Sequence, residues 1–237
     1  MKAIRLCFIQ MIRFIRRDLM LFAACFAPVL CGIFFRFGIP FLEEALTGWL
    51  SRPSVFAPYY GVLDMFFSML SPVMFCFVAA MVILEETDDH ITGYLFITTL
   101  GRKGYLAARL GLPAVISFII TLVLLPIFRL TKLSAWEILF LSAGGVVQGI
   151  IIALLIVSVS SNKLEGMAAA KLSTLTTLGV AVPYCVPNHV QYFFTPLPSY
   201  WIGKAVFAQS AIWILPAVIL YLAWTGVLTR RFLRKLV

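Results

Sequence analysis

Long apolar runs separated by short polar breaks make up most of the chain. Runs near 19–38, 61–84, 107–128, 135–159, 167–187 and 206–228 each approach the roughly 20 residues a helix needs to cross a bilayer core about 30 Å thick. The runs are continuously apolar rather than alternating. That predicts helices, which satisfy their own backbone, and not the strands of a barrel. The pattern therefore predicts an all-α, polytopic membrane protein with six transmembrane helices in one domain over residues 1–237. Pro28, Pro72, Pro113 and Pro216 fall inside the runs and predict kinks. Gly145, Gly149 and Ala153 form a ridge of small residues on the fourth helix, suited to close helix contact.

Composition agrees with lipid as the solvent. The chain is 62% hydrophobic and 12% charged, against about 25% charged in soluble domains, and its mean hydropathy is +1.02. The basic start is not followed by a small-residue cleavage pattern, so it reads as part of the protein and not as a signal peptide. Cys7, Cys25, Cys31, Cys76 and Cys185 have no CxxC spacing and are expected to be free thiols. A net charge of +9 could point to nucleic acid. With the N-terminus inside, however, only Arg36, Arg52, Arg129, Lys132 and Lys204 lie outside. The positive-inside rule then accounts for the basicity and places both termini in the cytoplasm.

Residues 2–17 have helical amphipathicity. Lys2, Arg5, Arg13, Arg16 and Arg17 share a sector of about 120°, and Ile4, Cys7, Phe8, Met11, Phe14 and Ile15 lie opposite. Leu6 and Ile9 interrupt the polar side. This predicts an interfacial helix on the inner leaflet, with Arg5, Arg13, Arg16 and Arg17 at the anionic lipid surface.

Reactive groups do not converge. His90 and His189 fall on opposite sides of the membrane, and no HExxH, GxSxG or GxxxxGK motif is present. No catalytic or metal-binding residue is expected. The middles of the spans carry no ionisable group, which an ion-coupled carrier would need there. Asp64, near the start of the second span, reads as an acid matched to a helix N-terminus. Lys171 is placed to snorkel to the inner headgroups. Gln148, Thr174, Thr176 and Thr177 remain at mid-depth as interhelical glue. Gln148, Thr174 and Thr177 are also the candidates for lining a path.

The connection after the second span, LEETDDHITGYLFITTLGRKGY, gathers Glu85, Glu86, Asp88 and Asp89. Acids suit the first turn of a helix. Ile91, Tyr94, Leu95 and Thr98 follow on one face at i, i+3, i+4, i+7 spacing. A short cytoplasmic helix is predicted, presenting acids and an apolar ridge to a partner.

This stretch resembles the acidic helix after the second span of ABC type-2 exporter permeases. Glu86, Asp88, Leu95, Thr98, Leu100 and Tyr105 match that pattern, while Thr99 stands where proline is usual and Ile91 where threonine is usual. SNKLEGMAAAKL at 161–172 and PLPSYWIGKAVF at 196–207 are similar to the bacterial drug-export branch, which includes fluoroquinolone permeases. The resemblance implies a permease in the bacterial cytoplasmic membrane that exports an amphipathic small molecule, lipid or peptide. It implies a second permease, identical or homologous, and two copies of a cytoplasmic ATP-binding subunit that holds ATP and Mg, with no cofactor in this chain. Residues 86–98 would be the coupling helix, docking through Glu86, Asp88, Asp89, Ile91, Tyr94, Leu95 and Thr98. Residues 2–17 would be the connecting helix, and 185–205 an outer re-entrant cap. The alternative is a non-transporting immunity or sensor subunit that uses the same acidic helix for a different cytoplasmic partner.

Overall fold

Asp18 makes the first change of direction. It joins α1, Lys2–Arg17, to α2, Leu19–Ile33, and its carboxylate caps α2 by accepting from the N–H groups of Met20 and Leu21 at 3.0 and 3.2 Å. The computed structural model describes residues 2–50, 54–92, 94 and 101–235, with side chains left aside at 2–4, 50, 102, 103 and 188. Leu95 and Thr98 of the expected coupling helix lie outside the described residues.

The first helical path does not end near Gly38. It continues through a π-helical turn, Phe34–Gly38, into α3, Ile39–Leu50, so part of the expected outer connection is helical. Pro40 is the second residue of α3. The π turn ahead of it shifts the hydrogen-bond register, so the missing proline donor does not stop the helix. Glu43 then accepts from the N–H groups of Val55 and Phe56 at 2.8 and 2.6 Å, folding the connection back on α3. A 3₁₀ turn, Ala57–Tyr59, opens α4, Tyr60–Asp88, the most deeply buried helix of the bundle.

α4 runs past the expected end of the second span. Glu85, Glu86 and Asp88 occupy its last turns, and do not open a new helix. The helix stops at His90, whose φ of 57° is the left-handed conformation that ends many helices. Ile91, Thr92 and Tyr94 are helical again beyond that stop. Acids at a helix C-terminus are opposed by the helix dipole, so these carboxylates need cations.

α5, Gly101–Leu106, a second π turn, Ala107–Gly111, and α6, Leu112–Phe128, form the next crossing. Again a proline, Pro113, is the second residue after the π turn. Both π turns carry the sequence Arg-x-Gly-x-Pro: Arg36 to Pro40 and Arg109 to Pro113.

Ser134 and Glu137 form a reciprocal capping box at the start of α7, Ala135–Val159. The small-residue ridge of α7 packs on α4. A Cβ on Gly145 would lie 2.7 Å from the Ser68 carbonyl oxygen, and one on Gly149 2.7 Å from that of Pro72. Only glycine lets the two backbones approach so closely.

The expected fifth span, 167–187, is not one helix. It is α8, Lys163–Thr174, then a 3₁₀ segment, Leu175–Ala181, then α9, Val182–Cys185. Thr174, Thr176 and Thr177 turn their hydroxyls back to the carbonyls of Lys171, Ser173 and Thr174, the local bonding that competes with an α-helical ladder. The interrupted path still traverses the bundle. Lys163 bonds Asp88 at one end, and the Tyr184 hydroxyl lies against Gly61 at the other.

From there α10, Asn188–Gln191, and a 3₁₀ turn, Tyr192–Phe194, lead inward. α11, Pro198–Phe207, starts at the level of the interrupted segment, where Ser199 donates to the Thr176 carbonyl, and leads out again. A Cβ on Gly203 would lie 2.3 Å from the Val180 carbonyl oxygen, so α11 and the 3₁₀ segment touch backbone to backbone. α12, Ile214–Lys235, returns through the bundle. The expected start of the last span at 206 therefore belongs to α11. Lys235 donates to the carbonyls of Val157, at 3.1 Å, and Ser160, which puts the end of the chain at the same end of the bundle as α1.

The described residues contain no strand. Among the described residues five helical stretches have the length and apolarity to cross a membrane, and the sixth expected span is the interrupted one. This is a polytopic helical membrane protein. All five cysteines are free thiols. On α1, Cys7 and Met11 are buried against the bundle, Phe8, Phe14 and Ile15 are partly covered, and Arg5, Arg13, Arg16 and Arg17 are exposed.

Candidate functional site

Three of the four gathered acids are tied into the bundle. Glu86 points inward and accepts from the Tyr105 hydroxyl at 2.8 Å and from Arg109 Nε at 3.0 Å, with Arg109 Nη2 completing a two-pronged ion pair. Arg109 is 1% exposed, and its Nη1 donates to the Cys7 carbonyl of α1 at 2.8 Å. A buried arginine is tolerable because its fork is matched to a carboxylate and its remaining donors find oxygen.

Lys163, the first residue of α8, is a second tie. Its ammonium donates to Asp18 at 2.7 Å and Glu85 at 2.6 Å, and its backbone N–H donates to Asp88 at 3.1 Å. The hydrogen bond from Lys163 holds the Asp18 carboxyl below its usual range. Burial opposes the charge on Lys163, but its two carboxylate partners outweigh that and raise its pKa. Together the ties join the α1–α2 junction, the end of α4, the start of the third crossing and the start of α8.

Among its described residues, the acidic segment faces outward only in part. Asp88, Asp89, Ile91 and Tyr94 are exposed, Tyr94 at 75%. Thr92 is buried and Glu86 is turned away from solvent. Beside the exposed residues lies a cavity of about 240 Å³ between α1 and the end of α4, with Gln10, Phe14, Glu85 and Asp89 among its walls.

At mid-depth Gln148 is fully buried. Its Nε2 donates to Thr176 Oγ1 at 2.9 Å, and its Oε1 accepts from the Tyr221 hydroxyl at 3.2 Å. Ser199 joins through the Thr176 carbonyl. Four separate chain segments are thus linked by uncharged hydrogen bonds. Thr174 and Thr177 do not join them, since their hydroxyls bond their own turns. Composition alone could not show that Thr176, Tyr221 and Ser199 converge on Gln148. The mid-depth placement of Thr176 was the one usable signal.

At the opposite end Asp64 does not serve its own helix. It is fully buried and accepts from the N–H groups of Leu130 and Thr131, both at 2.8 Å, and from the Thr131 hydroxyl, fixing the 129–134 connection. The Lys204 side chain is half-buried. It donates to the Tyr200 hydroxyl at 2.9 Å and sits 4.4 Å from the Trp213 ring centre. Between α7, α11 and α12 lies an apolar cavity of about 400 Å³, walled by residues such as Val147, Ile202, Val218 and Leu222. A second cavity of about 360 Å³, with Ser134, Glu137, Gln209 and Ser210, adjoins it through Phe140 and Ile214.

Comparison with known proteins bears on what this bundle does. The profile of the family described as fluoroquinolones export permease protein Rv2686c-like matches residues 11–232. Similar proteins include fluoroquinolones export permease protein MT2760 of Mycobacterium tuberculosis (strain CDC 1551 / Oshkosh) and fluoroquinolones export permease protein Rv2686c of Mycobacterium tuberculosis (strain ATCC 25618 / H37Rv). Each is 27% identical over 231 residues, covering 92% of this chain and 89% of the relative. No solved structure matches. The matched region takes in every crossing, both ionic ties and the mid-depth hydrogen bonds, and so this chain, a transport permease and not an enzyme, belongs to the Rv2686c-like fluoroquinolone export permease family.

Proposed function

We propose that the chain is the membrane-spanning half of an ATP-driven ABC exporter that moves amphipathic molecules out of the cytoplasm or inner leaflet. In this reading both termini are cytoplasmic, in a bacterial cytoplasmic membrane. A second permease, identical or homologous, completes the path, and two cytoplasmic ATP-binding subunits supply the work and hold ATP and Mg.

The observation that carries the reading is the interrupted crossing. Irregular backbone at membrane depth is tolerated where protein covers it or where it lines a water-filled cavity. Here Leu172, Leu175 and Leu178 beside the 3₁₀ segment are exposed, as are Tyr192 and Phe193. A second permease facing this side would cover them and enclose a path. Asp88, Asp89, Ile91 and Tyr94 would dock the ATP-binding subunit, with Leu95 and Thr98 continuing that surface. Glu86, buried against Arg109, would pass the motion inward instead of touching the partner.

The family and relatives carry fluoroquinolones in their names, so a fluoroquinolone is the first substrate to test. Inverted vesicles containing the chain and its ATP-binding partner are expected to accumulate the drug only with ATP. Tyr94→Asp is expected to abolish accumulation, because it puts a charge on the docking ridge without touching the bundle core. Accumulation without the ATP-binding partner, or collapse with the proton gradient at constant ATP, would overturn the reading.

A further inference from the structure

The two adjoining cavities between α7, α11 and α12 form one groove. Phe140 and Ile214 line both, so the apolar part and the part that ends at Glu137 meet at these two side chains. On α7 the groove extends from Glu137 to Ile150, about 20 Å at 1.5 Å per residue. Its deep part is walled by carbon, with the Tyr221 hydroxyl at its floor already bonded to Gln148. Each cavity falls within the range of about 300–1,000 Å³ typical of small-molecule sites.

The mouth has a different chemistry. Glu137 uses Oε2 for the capping box, accepting from the N–H and hydroxyl of Ser134 at 2.7 and 2.8 Å. Its Oε1 has no protein donor among the described residues, and no Lys or Arg there pairs with it. The cation of α11, Lys204, is held by Tyr200 and Trp213. Gln209, also at the mouth, has a φ of 45°. A left-handed conformation in a residue that is not glycine is strained, and such strain collects at functional positions.

We propose that this groove is a binding site for an amphiphile with a cationic amine head: the amine against Glu137, and an apolar body up to about 20 Å long between α7 and α12. This names a substrate class for the exporter proposed above and rests on that reading for its role in transport, but not for binding itself. Charge complementarity selects the head: a cation gains an ion pair with the half-exposed Glu137 carboxylate, an uncharged head gains none, and an anionic head is repelled.

The test uses the full chain in nanodiscs of zwitterionic lipid, without nucleotide or any partner subunit. Three photoreactive alkyl probes share a tail and differ in head: trimethylammonium, hydroxyl and sulfonate. The trimethylammonium probe is expected to label residues 140–150 and 214–225 about five-fold more than the hydroxyl probe, the advantage of one partly exposed ion pair. Glu137→Gln is expected to remove that preference while the fold persists, because glutamine can keep the capping box. Val218→Trp, which fills the groove, is expected to reduce labelling by all three. Equal labelling of the wild type by ammonium and hydroxyl probes would make the groove a seat for bilayer acyl chains and overturn the proposal. A spontaneous disulfide between two copies of Val218→Cys would make it a seam between permeases, with the same result. If the ammonium preference holds but ATP-driven transport fails, the exporter reading falls and the site stands.

Discussion

Replacing Arg109 with methionine should destabilise the protein more than most single substitutions. The side chain is 1% exposed and its fork meets Glu86, while Nη1 holds the Cys7 carbonyl of α1. Methionine fills much of the space but leaves Glu86 buried with only the Tyr105 hydroxyl as partner. Breaking a buried pair by removing one member costs about 3–5 kcal/mol, mostly from the orphaned charge. For a chain of this size each kcal/mol is worth roughly 2–4 °C in melting temperature, so a drop of about 6–20 °C is expected. The diagnostic comparison is the double variant Arg109→Met with Glu86→Leu. It removes both charges and should recover most of the loss, because a buried pair exchanged for apolar groups is often close to neutral. Circular dichroism melts of the three purified proteins in one detergent measure this. A single variant melting within about 2 °C of wild type, or a double variant as unstable as the single, would refute the idea that an orphaned Glu86 charge sets the cost.

Two further predictions concern packing and pH. Gly145→Ala places a methyl 2.7 Å from the Ser68 carbonyl oxygen, which is backbone and cannot rotate away. A loss of about 1–3 kcal/mol is expected from overpacking, read from the same melts, and an unchanged melt would show that α4 and α7 are not pressed together there. The Lys163 tie should be insensitive to pH across the neutral range. Asp18 has its folded pKa lowered from 3.8, so its contribution is present above that value and fades only as pH falls through the folded pKa. Lys163 has its pKa raised from 10.5, so its contribution is present below that value and fades as pH rises through the folded pKa. The melting difference between wild type and Lys163→Met should therefore be flat from about pH 5 to 9, and a difference already gone at pH 6 would contradict the assignment.

Hydropathy made the membrane class and most crossings legible, because apolar length is a local property. The glycine ridge on α7 was legible for the same reason: Gly145 and Gly149 mark their own helix face. The acidic segment was misread because its partners are remote. Glu86 meets Arg109 23 positions on, Lys163 N–H meets Asp88 across 75, and the Lys163 ammonium meets Glu85 across 78. A pattern of acids followed by an apolar ridge looks like a helix start whether the acids face solvent or a buried arginine. The interrupted crossing was missed because serine and threonine count as mildly polar in a hydropathy window, whereas their effect here is on hydrogen-bond geometry. Pro113 was weighed as a kink, and Pro40 fell just beyond the first predicted span. The chain instead places an Arg-x-Gly-x-Pro turn ahead of each and carries the helix through.

Those paired turns have a mechanical consequence. A π turn holds one surplus residue, and a surplus residue in a helix is equivalent to a rotation of about 100° for everything beyond it. In the first and third crossings the residues beyond the turn therefore face about 100° away from where an uninterrupted helix would put them. Each turn also carries an arginine whose Nη1 donates to a distant carbonyl, Arg36 to that of Arg129 and Arg109 to that of Cys7. Each turn is thereby pinned to another part of the bundle at the point where its helix changes phase.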